Sequence, residues 1–150
     1  MHSSVRAWSG GLLAVAVLCA VYGCSGPKVD WAECLTAANN SVEGYRKLHA
    51  SATARVHELP APGNDAAVIA NHKVLNDALA MVAAETATFA ATVSATRSSV
   101  EAALAGADAA TAARDGCAKL TAESQQAAAK IATSATAVQL YNNMVTKARQ

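Results

Sequence analysis

Aromatic residues and residues that interrupt helices are both scarce in this chain. Of its 150 residues, 4% are aromatic, three are proline and eight are glycine. A shortage of aromatic rings excludes a thick core, whereas long stretches without proline or glycine allow long helices. Alanine makes up about a quarter of the chain. The composition therefore favours long helices that pack at close separation.

An excess of charge of one sign is also absent. Lys plus Arg number 12 and Asp plus Glu number 11, and both kinds are spread along the chain. Nucleic-acid binding and polybasic membrane contacts depend on clustered basic residues, so neither is expected. The sequence has no zinc helix, phosphate-binding glycine loop, nucleophile elbow or paired-cysteine redox motif. We therefore expect a protein that is not an enzyme and binds no dissociable cofactor.

The first residues have the parts of an export signal. Arg6 and the amino terminus supply positive charge, and Leu12 to Tyr22 form an apolar stretch without charges. A transmembrane helix needs about 20 apolar residues, whereas the apolar part of a signal needs about 7 to 15. Residues 1–23 are therefore predicted to be a signal peptide.

The end of this segment, Val21-Tyr22-Gly23-Cys24, resembles the lipobox of bacterial lipoprotein precursors. An aliphatic residue lies three positions before the cysteine and a small residue directly before it. The resemblance is limited to residues 1–24 and implies that Cys24 is acylated and becomes the mature N-terminus, with residues 24–29 as a tether. It implies the extracytoplasmic face of a cell envelope and, in a Gram-negative host, the outer membrane, as the pattern at Ser25 indicates. A soluble protein cleaved after Gly23 and an uncleaved anchor are the alternatives.

Two cysteines remain once Cys19 has left with the signal and Cys24 carries a lipid. Export places Cys34 and Cys117 in an oxidising compartment, where a remaining pair is usually bonded. We expect a disulfide between them, with two buried free thiols as the alternative.

Three segments repeat apolar residues at alternating steps of three and four, the spacing of coiled coils. They predict one domain of residues 30–150 with helices over about 30–58, 65–104 and 108–148. Asp30 begins the first helix with a capping pattern, and Asn64 is the expected cap of the second. The predicted fold is all-α, an alanine-rich, up-down-up antiparallel three-helix bundle of coiled-coil type.

The second break in this pattern has two possible positions, Gly106 with Asp108 or Asp115 with Gly116. The first turn is expected near position 60.5, in the proline segment. With a second turn near 106, reflection through both turns brings Cys34 level with about residue 125 and not with Cys117. The second turn lies nearer 102, or the bundle is irregular, or the two cysteines are not bonded within one chain. We favour the bond within one chain and therefore expect a shifted second turn.

His49 and His72 are equally far from the centre of the proline segment, so they are expected to face each other across the first hairpin. Two imidazoles could hold zinc or copper, although structural zinc sites use four ligands and catalytic sites usually three. Two partly exposed histidines without a ligand are the alternative. This pair defines a possible metal or small-ligand carrier.

Near the C-terminus, Leu140, Tyr141 and Met144 form the most apolar group of the third helix. They are expected either to pack in the core or to contact a partner protein. The second and third helices are longer than the first, so apolar side chains on the extra length need another surface to cover them. The leading expectation is thus a membrane-anchored envelope lipoprotein that acts as a non-enzymatic interaction or structural subunit. Its partners are the membrane, through the lipid, and another envelope protein. A metal carrier and a phage- or plasmid-encoded exclusion lipoprotein are the alternatives.

Overall fold

The computed structural model describes residues 29–59 and 63–148. These residues form three α-helices that pack against one another, without strands in the described ranges. The helices are α1 (Trp31–His57), α2 (Ala66–Ala103) and α3 (Ala109–Ala148). The all-helical, three-helix prediction is confirmed. The predicted signal peptide and Cys24 lie outside the described residues.

Aspartates cap the first two helices. The Asp30 carboxylate accepts hydrogen bonds from the backbone N–H groups of Ala32 and Glu33, which satisfies donors that the first turn leaves open. At α2 the same role falls to Asp65 and not to Asn64, so the predicted cap of α2 is wrong by one residue. Both carboxylates also lie at the positive end of their helix dipole.

The core contains mostly small and medium side chains from all three helices, together with the rings of Tyr45 and Phe89. Its central cluster comprises Ala38, Val42, Tyr45, Val82, Phe89, Val93, Leu120, Ala127 and Ile131. The rings of Tyr45 and Phe89 meet edge to face with centroids 6.2 Å apart. The Tyr45 hydroxyl donates a hydrogen bond to the backbone oxygen of Ser124 at 3.3 Å. Tyr45 therefore contacts both of the other helices.

A disulfide joins α1 to α3. Cys34 and Cys117 are bonded, with their Cα atoms 5.8 Å apart. The predicted shift of the second turn is wrong, because α2 ends at Ala103 and α3 begins at Ala109.

The register error lies in the first connection. Tyr45 meets Phe89, and Trp31 and Val100 both flank Gly116, so contacts between α1 and α2 are centred near position 67 and not near 60.5. By this register the end of α1 is level with about residue 77 of α2. The first turns of α2 therefore extend about 16 Å beyond the end of α1.

Candidate interaction surface

His72 and Tyr141 meet where α2 and α3 extend beyond α1. Their ring centroids are 5.4 Å apart and their planes are 76° apart. Tyr141 is 6% exposed, and the Nε2 atom of His72 is buried with no hydrogen-bond partner in the described part of the chain. The two rings close this end of the core, so Tyr141 packs inside it and does not offer its side chain to a partner.

His49 lies far from His72. Along α1, four residues separate His49 from Tyr45, or about 6 Å, whereas 17 residues of α2, or about 25 Å, separate His72 from Phe89. Since Tyr45 and Phe89 are in contact and both histidines lie towards the same end, they are about 20 Å apart along the helices. The two rings therefore do not face each other, in contrast to the prediction. Within residues 29–59 and 63–148, no group of three or more His, Cys, Asp or Glu residues could hold a metal ion.

Leu140, the neighbour of Tyr141, has the opposite environment. It is 60% exposed, the largest exposure recorded among the large hydrophobic side chains of the described residues. The side chain of Met144 lies outside the described part, so its predicted role stays a prediction. Of the predicted C-terminal group, Leu140 is thus the side chain placed to meet a partner.

Two residues of α2 accompany Leu140. Val74 is 58% exposed and Met81 is 41% exposed. They are seven residues apart, two helical turns, and therefore lie on one face of α2. Glu85, one turn after Met81, forms an ion pair with Lys130 of α3 at 3.0 Å. This face of α2 thus borders α3.

The register between α2 and α3 places Val74 at the same level along the helices as Leu140. The residue numbers of the contacting pairs Glu85–Lys130 and His72–Tyr141 add up to nearly the same value, which identifies residues at one level along the two helices. The numbers of Val74 and Leu140 add up to that value as well. Val74 and Met81 lie on one face of α2, and Leu140 lies on α3 at the level of Val74; we name these three exposed apolar residues the apolar strip. Together they expose an apolar surface of a few hundred Å², which on a monomer often marks an interaction site.

A signal for the strip is present in the sequence. Val74, Met81 and Leu140 each directly precede a buried residue of the heptad pattern, namely Leu75, Val82 and Tyr141. One residue is a rotation of about 100° around a helix, which moves a side chain from the core to the flank. Apolar residues in that offset position, repeated on two helices, could have identified Val74 and Met81.

The charges beside the strip neutralise one another. Lys73 and Asp77 form an ion pair at 2.7 Å one turn apart on α2. The hydrogen bond to Asp77 raises the pKa of Lys73 above its ordinary value. With Glu85 paired to Lys130, the strip is bordered by pairs of opposite charge and not by a charge of one sign.

A second concave surface lies between α1 and α2. This open groove of about 460 Å³ is lined by polar residues that include Asn39, Asn40 and Ser94. Its arginines have carboxylate partners on their own helices, Arg97 with Glu101 at 2.7 Å and Arg46 with Glu43 at 3.9 Å. The groove is therefore a polar, charge-compensated surface.

Helix α2 is long and apolar enough to cross a membrane, by length and composition alone. An 18-residue window within it has a mean hydropathy of 1.4. A core helix of a soluble protein meets the same criteria, and α2 supplies Leu75, Phe89 and other buried residues to the core. This hydropathy is weak support for a span.

Comparison with family models, curated proteins and solved structures gives no match to this chain. The N-terminal segment and the geometry of the helical domain are therefore the features that bear on function.

Proposed function

We propose that this chain is an envelope lipoprotein that acts as a non-enzymatic interaction or structural subunit. Acyl groups on Cys24 hold it to an extracytoplasmic membrane face, which is the outer membrane in a Gram-negative host. The helical domain then presents the apolar strip to a protein partner. The lipobox resemblance at residues 21–24 supports the anchor, and the exposed strip supports the partner.

The proposal includes an up-down-up arrangement of the three helices. It is supported by contacts whose residue numbers run in opposite directions on α2 and α3, as Glu85–Lys130 and His72–Tyr141 do. On α1 and α3 they run in the same direction, from Cys34–Cys117 to Tyr45–Ser124. Coiled-coil packing of the heptad seams completes this arrangement.

The distance of the strip from the tether is the observation that carries the interaction role. Trp31, the first residue of α1, and Val100 both flank Gly116, so they mark the end of the domain next to the tether. Val74 is 26 residues from Val100 along α2, or about 39 Å. An anchored chain would therefore hold the strip well away from its own membrane, where it can meet a protein and not the lipid.

Mass spectrometry of the mature protein from its native host tests the anchor. We expect Cys24 at the N-terminus with acyl groups attached, and a mass that rises by two protons on reduction. A Cys24→Ser variant should remain unacylated, whereas Cys19→Ser, within the signal, should still be acylated on Cys24. An unmodified mature chain in the soluble fraction would contradict the proposal.

The alternatives differ in their support. The carrier alternative was argued from two facing imidazoles, and the separation of His49 from His72 gives it less support than the interaction role. An exclusion lipoprotein encoded by a phage or plasmid belongs to the same interaction class and would bind its receptor through the same strip. A gene position beside phage or conjugation genes would favour that form.

A further inference from the structure

We propose that the apolar strip is the contact between two copies of this chain, which pair side by side on one membrane. This inference rests on the proposed lipid anchor, because the anchor sets the orientation and height of each copy. It names a second copy as the occupant of the strip.

Pairing of identical surfaces requires that like charges do not meet. In a twofold interface the same surface occurs on both sides, so an uncompensated charge would oppose its own copy. The strip itself has no charge, and its flanking charges occur as the pairs Lys73–Asp77 and Glu85–Lys130. Two strips can therefore approach each other without repulsion.

The anchor brings the two strips to the same height. Every copy would begin α1 at Trp31, seven residues after Cys24, and hold the strip about 39 Å further along the domain. Rotation about an axis perpendicular to the membrane then places strip opposite strip. A different protein would need an apolar surface of its own at that distance from the membrane. A second copy has such a surface, because it carries the same strip on the same anchor.

The size of the strip explains why the pairing needs the membrane. Val74, Met81 and Leu140 offer roughly 300 Å² of apolar surface, against about 800 Å² per partner in a stable complex. Such a contact is weak between molecules in free solution. Confinement to a membrane raises the effective concentration towards the millimolar range and makes a weak contact sufficient. We therefore expect monomers without the anchor and dimers with it.

Cysteine crosslinking in vesicles tests the pairing. The acylated protein with Leu140→Cys or Val74→Cys is placed in vesicles of phosphatidylethanolamine and phosphatidylglycerol and treated with a mild oxidant. We expect a disulfide-linked dimer for both variants. Ile69→Cys is the matched control, because Ile69 is 47% exposed on the same helix but is rotated by about 140° from Val74. The control should form roughly tenfold less dimer, since it would react only through random collisions.

A charge exchange distinguishes pairing from an effect on folding. Leu140→Glu and Leu140→Lys should each lower the dimer fraction in vesicles. The fraction is measured by photocrosslinking with a reagent that does not react with lysine, because one variant adds a lysine. Mixing the two variants in the same vesicles should restore it, because opposite charges would then meet. Restoration would not occur if the substitutions only disturbed the fold of each chain.

Several outcomes would overturn the pairing. Equal crosslinking of Ile69→Cys and Leu140→Cys would indicate collisions, and crosslinking of Leu140→Cys to another protein in native membranes would assign the strip to a different partner. Flotation of the same vesicles reports the anchor separately. Protein that floats but gives no dimer contradicts the pairing alone, whereas protein that does not float contradicts the proposed anchor and the pairing with it.

Discussion

At the residue scale, two glycines within helices have opposite surroundings. A Cβ atom at Gly116 of α3 would lie 2.5 Å from a methyl group of Val100 and 3.0 Å from the ring of Trp31. A Cβ atom at Gly44 of α1 would meet nothing within 4 Å. The absence of a side chain is thus needed at Gly116 and not at Gly44.

Alanine substitutions at these glycines should change stability in opposite directions. We expect Gly116→Ala to lower the free energy of unfolding by about 1–3 kcal/mol, because Val100 and Trp31 must move. Gly44→Ala should raise it by about 0.5–1 kcal/mol, because alanine favours the helix. Urea unfolding followed by circular dichroism measures both. A stabilised Gly116→Ala protein would contradict the close packing of the three residues.

The hydroxyl of Tyr45 should make stability depend on alkaline pH. Burial raises its pKa above the ordinary 10.0, so the folded chain holds the proton more tightly than the unfolded chain. This contribution is fully present below pH 10.0 and is lost as the pH rises through the folded pKa. At pH 8, Tyr45→Phe should be less stable by about 0.5–1.5 kcal/mol, because it lacks the hydrogen bond to Ser124.

The difference between the two proteins should shrink above pH 10.0, because only the parent has the buried hydroxyl to ionise. Urea titrations of both proteins from pH 8 to pH 11 provide the test. A difference that stays constant over this range would show that Tyr45 ionises equally easily in the folded and unfolded chains.

At the scale of the helices, the sequence predicted local features well. Residues at heptad spacing, among them Leu75, Phe89 and Leu120, are buried, because burial on one helix face is a property of the segment itself. Asp30 was recognised as a cap for the same reason. Gly116, considered as a helix break, lies inside α3 instead, since its role depends on contacts from Trp31 and Val100 that are distant in sequence.

The relative positions of the helices were harder to predict. The register of α1 against α2 depends on contacts between residues distant in sequence, such as Tyr45 and Phe89, which periodicity does not encode. An error in that register moved the expected second turn away from Gly106 and placed His49 opposite His72. The candidate surface shows the same difference between local and long-range features. Leu140 is predicted from the apolar composition of the C-terminal segment, whereas the assignment of Val74 and Met81 to the same surface depends on how α2 and α3 align.

The cap of α2 gives a direct test at this scale. Asp65→Ala should lower the free energy of unfolding by about 1 kcal/mol, because the N–H groups of Ala67 and Val68 would lose their acceptor. Asn64→Ala is the matched control and should change stability by less than about 0.5 kcal/mol. Thermal unfolding of the two variants measures the difference. A larger loss at Asn64 than at Asp65 would contradict the observed cap.

At the scale of the whole molecule, the disulfide connects parts of the chain that are 83 residues apart. In the chain-entropy model, a loop of this length stabilises the fold by roughly 4 to 5 kcal/mol. We expect the double variant Cys34→Ser, Cys117→Ser to lose stability of this order, with the helical spectrum retained if enough stability remains.

The comparison needs a reduced parent as its control. Addition of a reductant should lower the urea midpoint of the parent to near that of the double variant and leave the variant itself unchanged. If the reductant has no effect on the parent, the thiols are not bonded in solution.

The disulfide also determines how the molecule bears a mechanical load. Force applied between the segment before α1 and Leu140 enters at Cys34 and crosses directly to Cys117. It then travels through α3 from position 117 to 140, a helix segment of about 35 Å. This covalent path bypasses the rest of α1 and all of α2. A pull at the far end would therefore load the backbone of α3, whereas the backbone of α2 and of most of α1 lies outside the covalent path of the force.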